Sequence, residues 1–157
     1  MRKRLIDLAS ATIQPRSEPW LDLDAAATVE VTSEDKDFPV EGSLSAEQTH
    51  GWRAAEPGSQ TIRLLFDERQ KLTHVSLLFE EKESARTQEF VLQWSSEKTG
   101  PLRELVRQQW NFSPPTTTRE VEEYSVELSD VAVVELTIVP DISGGGARAS
   151  LKSLRLA

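Results

Sequence analysis

A chain of 157 residues, 38% hydrophobic and 28% charged, carries enough apolar side chains for one globular core and too many for a disordered polymer. Its 26 acidic residues against 18 Lys and Arg leave a formal charge of -8, which sets it against nucleic acid and anionic membrane surfaces as partners. With no cysteine, disulfides, thiolate metal sites and a cysteine nucleophile are excluded.

Residues 1–24 read as an N-terminal arm packing on a domain of residues 25–157. The basic start Met1-Arg2-Lys3-Arg4 is followed by Leu5-Ile6-Asp7-Leu8, where the acid interrupts any apolar run, so no signal peptide is expected. No stretch has the length of apolar residues that spans a bilayer, and a soluble, cytoplasmic protein is the expectation. Pro15 and Pro19 break any helix in the arm. Trp20, Leu21 and Leu23 then fit a short strand or a helical turn equally well.

From Ala27 onward the period is two. Val29 and Val31 alternate with polar residues before the loop Ser33-Glu34-Asp35-Lys36-Asp37. Gly51-Trp52-Arg53 and a Pro57-Gly58 turn lead into Thr61 to Phe66, with Ile62, Leu64 and Phe66 on one face. Val75, Leu77 and Phe79 predict a further strand, and Phe90, Leu92 and Trp94 another. Leu102, Leu105 and Val106 suggest a less regular one. Tyr124, Val126 and Leu128 predict the next, followed by Val134, Leu136 and Ile138, which stop at Pro140. Leu151, Leu154 and Leu156 break the period, and a bulge near Lys152 and Ser153 would restore it. Short strands with no long helical pattern between them argue for an all-β antiparallel sandwich.

The strings Val29-Glu30-Val31-Thr32-Ser33-Glu34, Phe38-Pro39-Val40-Glu41 with Leu44, Gly51-Trp52-Arg53 and Gln60 to Asp67 carry a resemblance. So do Phe90 to Ser95, Leu136-Thr137-Ile138 and Leu151 to Leu156. Together they resemble the galactose-binding-like β-sandwich superfamily, the jelly-roll domains that include discoidin (coagulation factor type C) modules and many carbohydrate-binding modules. The resemblance covers residues 27–157. It implies a non-catalytic module that binds carbohydrate through loops at one end of the sandwich. The rival reading is a cytoplasmic protein-interaction or scaffold module with no sugar ligand. Many members hold a structural calcium with an acid from the last strand. Here Ala149 to Leu154 has no carboxylate, and Asp35 and Asp37 supply only part of the six to eight oxygens calcium takes, so no cofactor is the expectation, with a structural calcium as the alternative.

The candidate ligand-binding residues are Trp52, Arg53, Arg86, Gln88, Trp110, Asn111, Asp141 and Arg148. Trp52 reads either as a stacking plane for a pyranose or as a plug in the sandwich edge, with Arg53 as a hydrogen-bonding fork beside it. In Arg107-Gln108-Gln109-Trp110-Asn111-Phe112, amides and a ring suit a polyhydroxylated ligand. Equally, Trp110 and Phe112, two apart, face the core from a strand that Pro114-Pro115 ends. Arg86 and Gln88 lead into a strand, and Asp141 to Arg148 forms a glycine-rich connector. His50 and His74 lie in no metal-ligand spacing, and no nucleophile elbow or phosphate-cradling loop occurs, so catalysis is not expected.

Overall fold

The computed structural model describes residues 20–45 and 50–157. Most of the expected arm, residues 1–19, therefore lies outside the described residues. Asp22 caps a single helical turn, α1 (Leu23–Ala26), and Leu23 is buried, so of the residues whose periodicity left the element open Leu23 is helical, while Trp20 and Leu21 lie ahead of the turn. Eight strands follow: β1 (Ala27–Val31), β2 (Trp52–Pro57), β3 (Gln60–Glu80), β4 (Arg86–Ser95), β5 (Arg103–Phe112), β6 (Arg119–Val139), β7 (Arg148–Leu151) and β8 (Ser153–Leu156). A second helical turn, α2 (Glu41–Leu44), lies between β1 and β2 and buries Leu44.

Two of these strands are far longer than the sequence suggests. The expected strands around Ile62 and Val75 are one, β3, and those around Tyr124 and Val134 are one, β6. The polar residues Asp67 to Lys71 read as a connector, but they contain neither Gly nor Pro. The chain runs on, and its pairing with β6 is shifted between Leu65 and Gln70, Gln70 and Leu72, and Leu72 and His74. Through this irregular stretch both strands pass from one layer to the other.

The first layer has the order β1, the early half of β3, the late half of β6, β4, β5. The second joins the early half of β6 to the late half of β3 and then to β8. Ile62, Leu64, Phe66, Phe90, Leu92, Leu136 and Ile138 from the first layer meet Val75, Leu77, Phe79, Leu154 and Leu156 from the second in one core. The rings of Phe79 and Phe90, one from each layer, lie 5.3 Å apart. At Lys152 the chain does not bulge within a strand as expected. It changes partner: Leu151 pairs with Trp52 of β2, and Leu154 with Leu77 of β3. The β2–β7 ribbon so formed stands at the end of the sandwich where the connectors after β1, β3, β5 and β6 also gather.

Candidate functional site

The β2–β7 ribbon has one face in the core and one outside. Trp52 and Leu151 are opposite one another and buried, and Ala54 and Ala149 are buried with them. Because side chains alternate along a strand, Arg53 and its partner Ser150 face away from the core, with Arg148 two residues from Ser150 on the same side. The tip of the loop after β1 is fastened to this ribbon. Arg53 N–H donates to the Phe38 carbonyl (3.1 Å), Asp35 N–H donates to the Arg53 carbonyl (2.8 Å), and Ala55 N–H donates to Ser33 Oγ (3.0 Å). The Arg53 guanidinium is thereby spread over the Phe38 ring, 5.1 Å from its centroid.

Facing the ribbon is the connector from β3 to β4, residues 81–85, shaped by Glu81. Glu81 Oε2 accepts from the N–H groups of Glu83 (3.0 Å) and Ser84 (3.2 Å), and Oε1 accepts from Arg86 Nε (2.7 Å). Burial works to raise the Glu81 carboxyl, but the Arg86 bond and the two backbone donors outweigh it and hold the group below its ordinary value. Between ribbon and connector lies an open cleft of about 430 Å³, bordered by Phe38, His50, Arg53, Lys82, Arg148 and Lys152 among others.

Of the sequence candidates, Arg53 and Arg148 border this cleft together with the buried Trp52. Arg148 Nη1 stands 3.8 Å from Asp35 Oδ2. Asn111 and Asp141 border a neighbouring, shallower depression. There Thr87 Oγ1 donates to Asn111 Oδ1 (2.6 Å), and Asp141 Oδ1 accepts from the Ser143 hydroxyl and N–H, which together hold its carboxyl below the ordinary value.

The other four candidates are taken up by the fold. Trp52 is 1% exposed and its Nε1 donates to the Ser33 carbonyl (3.0 Å), so the ring is the plug and offers no stacking face. Arg86 is buried and ties two connectors to the end of β5. Besides Glu81, its Nη1 donates to the Pro140 carbonyl (2.6 Å), and its guanidinium lies 4.9 Å from the centre of the Phe112 ring. Gln88 is buried and donates to Glu120 Oε1 (3.1 Å). Trp110 is half-buried against the core, and its indole N–H is buried without a partner. Trp52 therefore offers no aromatic platform of the expected kind. Sequence reasoning missed Lys82 and His50 as cleft residues. One sat in a charge-rich connector that reads as solvated and the other lacked any motif, so only the folded arrangement brings them in.

Behind Gln88 lies an interior polar chain. Glu120 is fully buried, its Oε2 has no hydrogen-bond partner, and it neighbours Glu122, which accepts from the Tyr124 hydroxyl. Burial first, and then Glu122, push the Glu120 carboxyl up to about 9, against the opposing pull of Gln88 and Arg86.

The residues present do not suit the calcium that some relatives of this fold hold. Asp35 Oδ1 accepts from its own turn at Asp37 N–H (2.9 Å), its other oxygen faces Arg148, and Glu34 Oε1 accepts from Val40 N–H (2.9 Å). Among the described residues no three acidic or histidine side chains gather as a metal site would require. No helix among them is long and apolar enough to cross a membrane.

No protein-family model matches the chain, and no curated protein matches it. Solved structures do. The CBM32 of AlyQ, in complex with 4,5-unsaturated mannuronic acid, superposes with a TM-score of 0.64 at 16% identity, over 89% of this chain and 98% of that one. The family 32 CBM of Clostridium perfringens NanJ, in complex with galactose, gives 0.60 at 12% identity, over 87% and 96%. Chitosan-binding module 1, derived from a chitosanase/glucanase of Paenibacillus sp. IK-5, gives 0.58 at 15% identity, over 87% and 98%. In a longer AlyQ chain with CBM32 and alginate lyase domains, the match spans only 31% of that chain. Identities this low speak for the fold alone: with the strand order, they show that this chain has the β-sandwich fold of those modules.

Proposed function

We propose that the chain is a non-catalytic module that binds carbohydrate at the loop end of the sandwich, in the cleft between the β2–β7 ribbon and residues 81–85. The observation carrying this reading is Arg53, whose guanidinium lies over the Phe38 ring, 5.1 Å from its centroid, with no side-chain hydrogen bond among the described residues, at the border of an open cleft. Sugar hydroxyls accept from such donors, each bond contributing about 1 kcal/mol net. The cleft volume of about 430 Å³ falls within the roughly 300–1,000 Å³ of small-ligand sites.

The likeness to modules solved with mannuronic acid or galactose supports sugar as the ligand class without choosing among sugars. A hydrolytic role gains no support from the cleft's most enclosed acid. Both Glu81 oxygens are committed to Arg86 and to the loop backbone, so the Glu81 carboxyl is not free to act as acid or base.

Isothermal titration calorimetry against neutral, acidic and amino-sugar oligosaccharides tests the reading. At least one class should bind with Kd of about 1 mM or tighter, near -4 kcal/mol. Arg53→Ala should weaken that binding about tenfold without lowering the melting temperature, since the side chain holds no other group in place. Absence of heat for every class at about ten times that concentration would overturn the proposal.

A further inference from the structure

We infer that the depression beside the cleft is a second sugar subsite, which takes adjacent hydroxyls of the next residue of an oligosaccharide. The inference rests on the reading of the cleft as a sugar site and concerns how much of a glycan the loop end holds. Cleft and depression are bordered by successive stretches of the same two connectors. Residues 80–84 and 146–148 line the cleft, whereas residues 85–87 with Asp141 and Ser143 line the depression, whose volume is likewise about 430 Å³.

The depression contains a donor that the fold leaves open. Arg86 is 6% exposed, and its Nε and Nη1 are engaged inside the protein, on Glu81 Oε1 (2.7 Å), the Pro140 carbonyl (2.6 Å) and Gln88 Oε1 (3.2 Å). Nη2, with its two N–H groups, makes no hydrogen bond among the described residues. Nor is it sealed in, for the side-chain atoms there that are both buried and unpartnered are Trp110 Nε1 and Glu120 Oε2. Arg86 borders the depression and not the cleft, so Nη2 opens on the depression. A guanidinium held by a carboxylate, a carbonyl and the Phe112 ring cannot swing away, and its two remaining donors are fixed in direction.

Two side chains at the rim complete the set. Thr87 Oγ1 donates to Asn111 Oδ1, which leaves the Asn111 amide nitrogen with both donors unused among the described residues. An ionised carboxylate accepts at about four lone-pair positions. Asp141 gives two to the Ser143 hydroxyl and N–H and draws on the Thr87 backbone for one more, so it can still accept. Donors from Arg86 and Asn111 beside an acceptor on Asp141 match groups that both accept and donate, as adjacent hydroxyls on a sugar ring do. An anion fits less well, because Glu81 and Asp141 already offset the Arg86 charge.

Calorimetric titration of the full chain with the mono-, di- and trisaccharides of galactose, mannuronate and glucosamine tests this. In a series that binds, the disaccharide should bind about tenfold tighter than the monosaccharide. Asn111→Ala should cut that ratio by about threefold or more, and Asn111→Ala combined with Asp141→Asn should bring it close to one. Arg86 stays in place, since Glu81 and the Pro140 carbonyl depend on it. In an isotope-labelled chain the Asn111 side-chain amide resonances should shift with the disaccharide and stay in place with the monosaccharide. Equal affinity for all three lengths in every series that binds would overturn the inference and leave the sugar reading standing. A gain with length that survives both substitutions would put the added residue elsewhere and overturn the assignment of the depression. Failure of every sugar to bind would overturn both.

Discussion

Glu120 is where a single residue ties stability to pH. Its carboxyl is raised from an ordinary 4.5 to about 9, chiefly by burial, so the folded chain keeps a proton that the unfolded chain releases. The contribution is full below about 4.5 and is lost as pH climbs towards 9, at up to about 1.4 kcal/mol per pH unit. The groups facing it are Glu122 and Tyr124 on its own strand and Arg86 and Gln88 on β4. Glu120→Gln keeps the shape and the acceptor for Gln88 while removing the titration. Urea unfolding of both proteins at pH 5, 7 and 8.5 should therefore show the variant gaining on the parent as pH rises, by up to about 1.4 kcal/mol per pH unit. Parallel pH profiles would show that the carboxyl is not buried as described. At this scale the sequence was informative where one residue type has one role, and ambiguous elsewhere. Arg53 was placed because a polar residue beside a plugging tryptophan must point outward. Arg86 and Gln88 were misplaced because nothing in the string Arg86-Thr87-Gln88 says that their polar ends meet Glu81, Pro140 and Glu120 inside the fold.

Among the elements, the β2–β7 ribbon bears on the site most directly, and Gly51 sets where it starts. Gly51 has φ of 76°, and a Cβ there would lie 2.8 Å from the Leu151 carbonyl oxygen and 3.1 Å from the Lys152 Cα. Gly51→Ala therefore combines an unfavourable backbone conformation with a clash against backbone that cannot step aside, a cost of about 2–3 kcal/mol. The melting temperature should fall by roughly 5 °C or more, and ligand binding should weaken as well, because Arg53 and Arg148 are carried on the displaced strands. At Gly58, where φ is 92° but nothing lies within 4 Å, alanine should cost only about 1 kcal/mol and spare binding. Equal losses at the two glycines would contradict the close packing of β2 on β7. Element types were legible from alternation alone: Ile62, Leu64 and Phe66 fall on the core face as their spacing requires. Element lengths were not, because a polar run such as Asp67 to Lys71 looks the same whether the strand ends or bends from one layer to the other. The irregular leucines at 151, 154 and 156 recorded a change of partner strand, which one sequence cannot distinguish from a bulge.

For the whole molecule, the continuity of β3 and β6 has a thermodynamic consequence. Each contributes one half to each layer, so neither sheet can separate without breaking strands that hold the other together. The core is likewise shared, since Phe79 and Phe90 touch across the layers and Leu151 and Leu154 anchor β7 and β8 to one cluster. Composition anticipated a single core from chain length, and the shared strands supply the mechanical reason for it. Unfolding should be two-state: one calorimetric transition with an enthalpy on the order of 100 kcal/mol and a van't Hoff enthalpy equal to it. Near-UV signals from the tryptophans and far-UV signals from the strands should change at the same temperature, because Trp52, Trp94 and Trp110 pack on the same core as the sheets. Glu120→Gln should move that single transition without splitting it. A second transition, or a calorimetric enthalpy well above the van't Hoff value, would mean that the loop end with its β2–β7 ribbon melts apart from the sandwich, and the cleft would then be held less rigidly than the fastening of Arg53 to Phe38 and Asp35 requires.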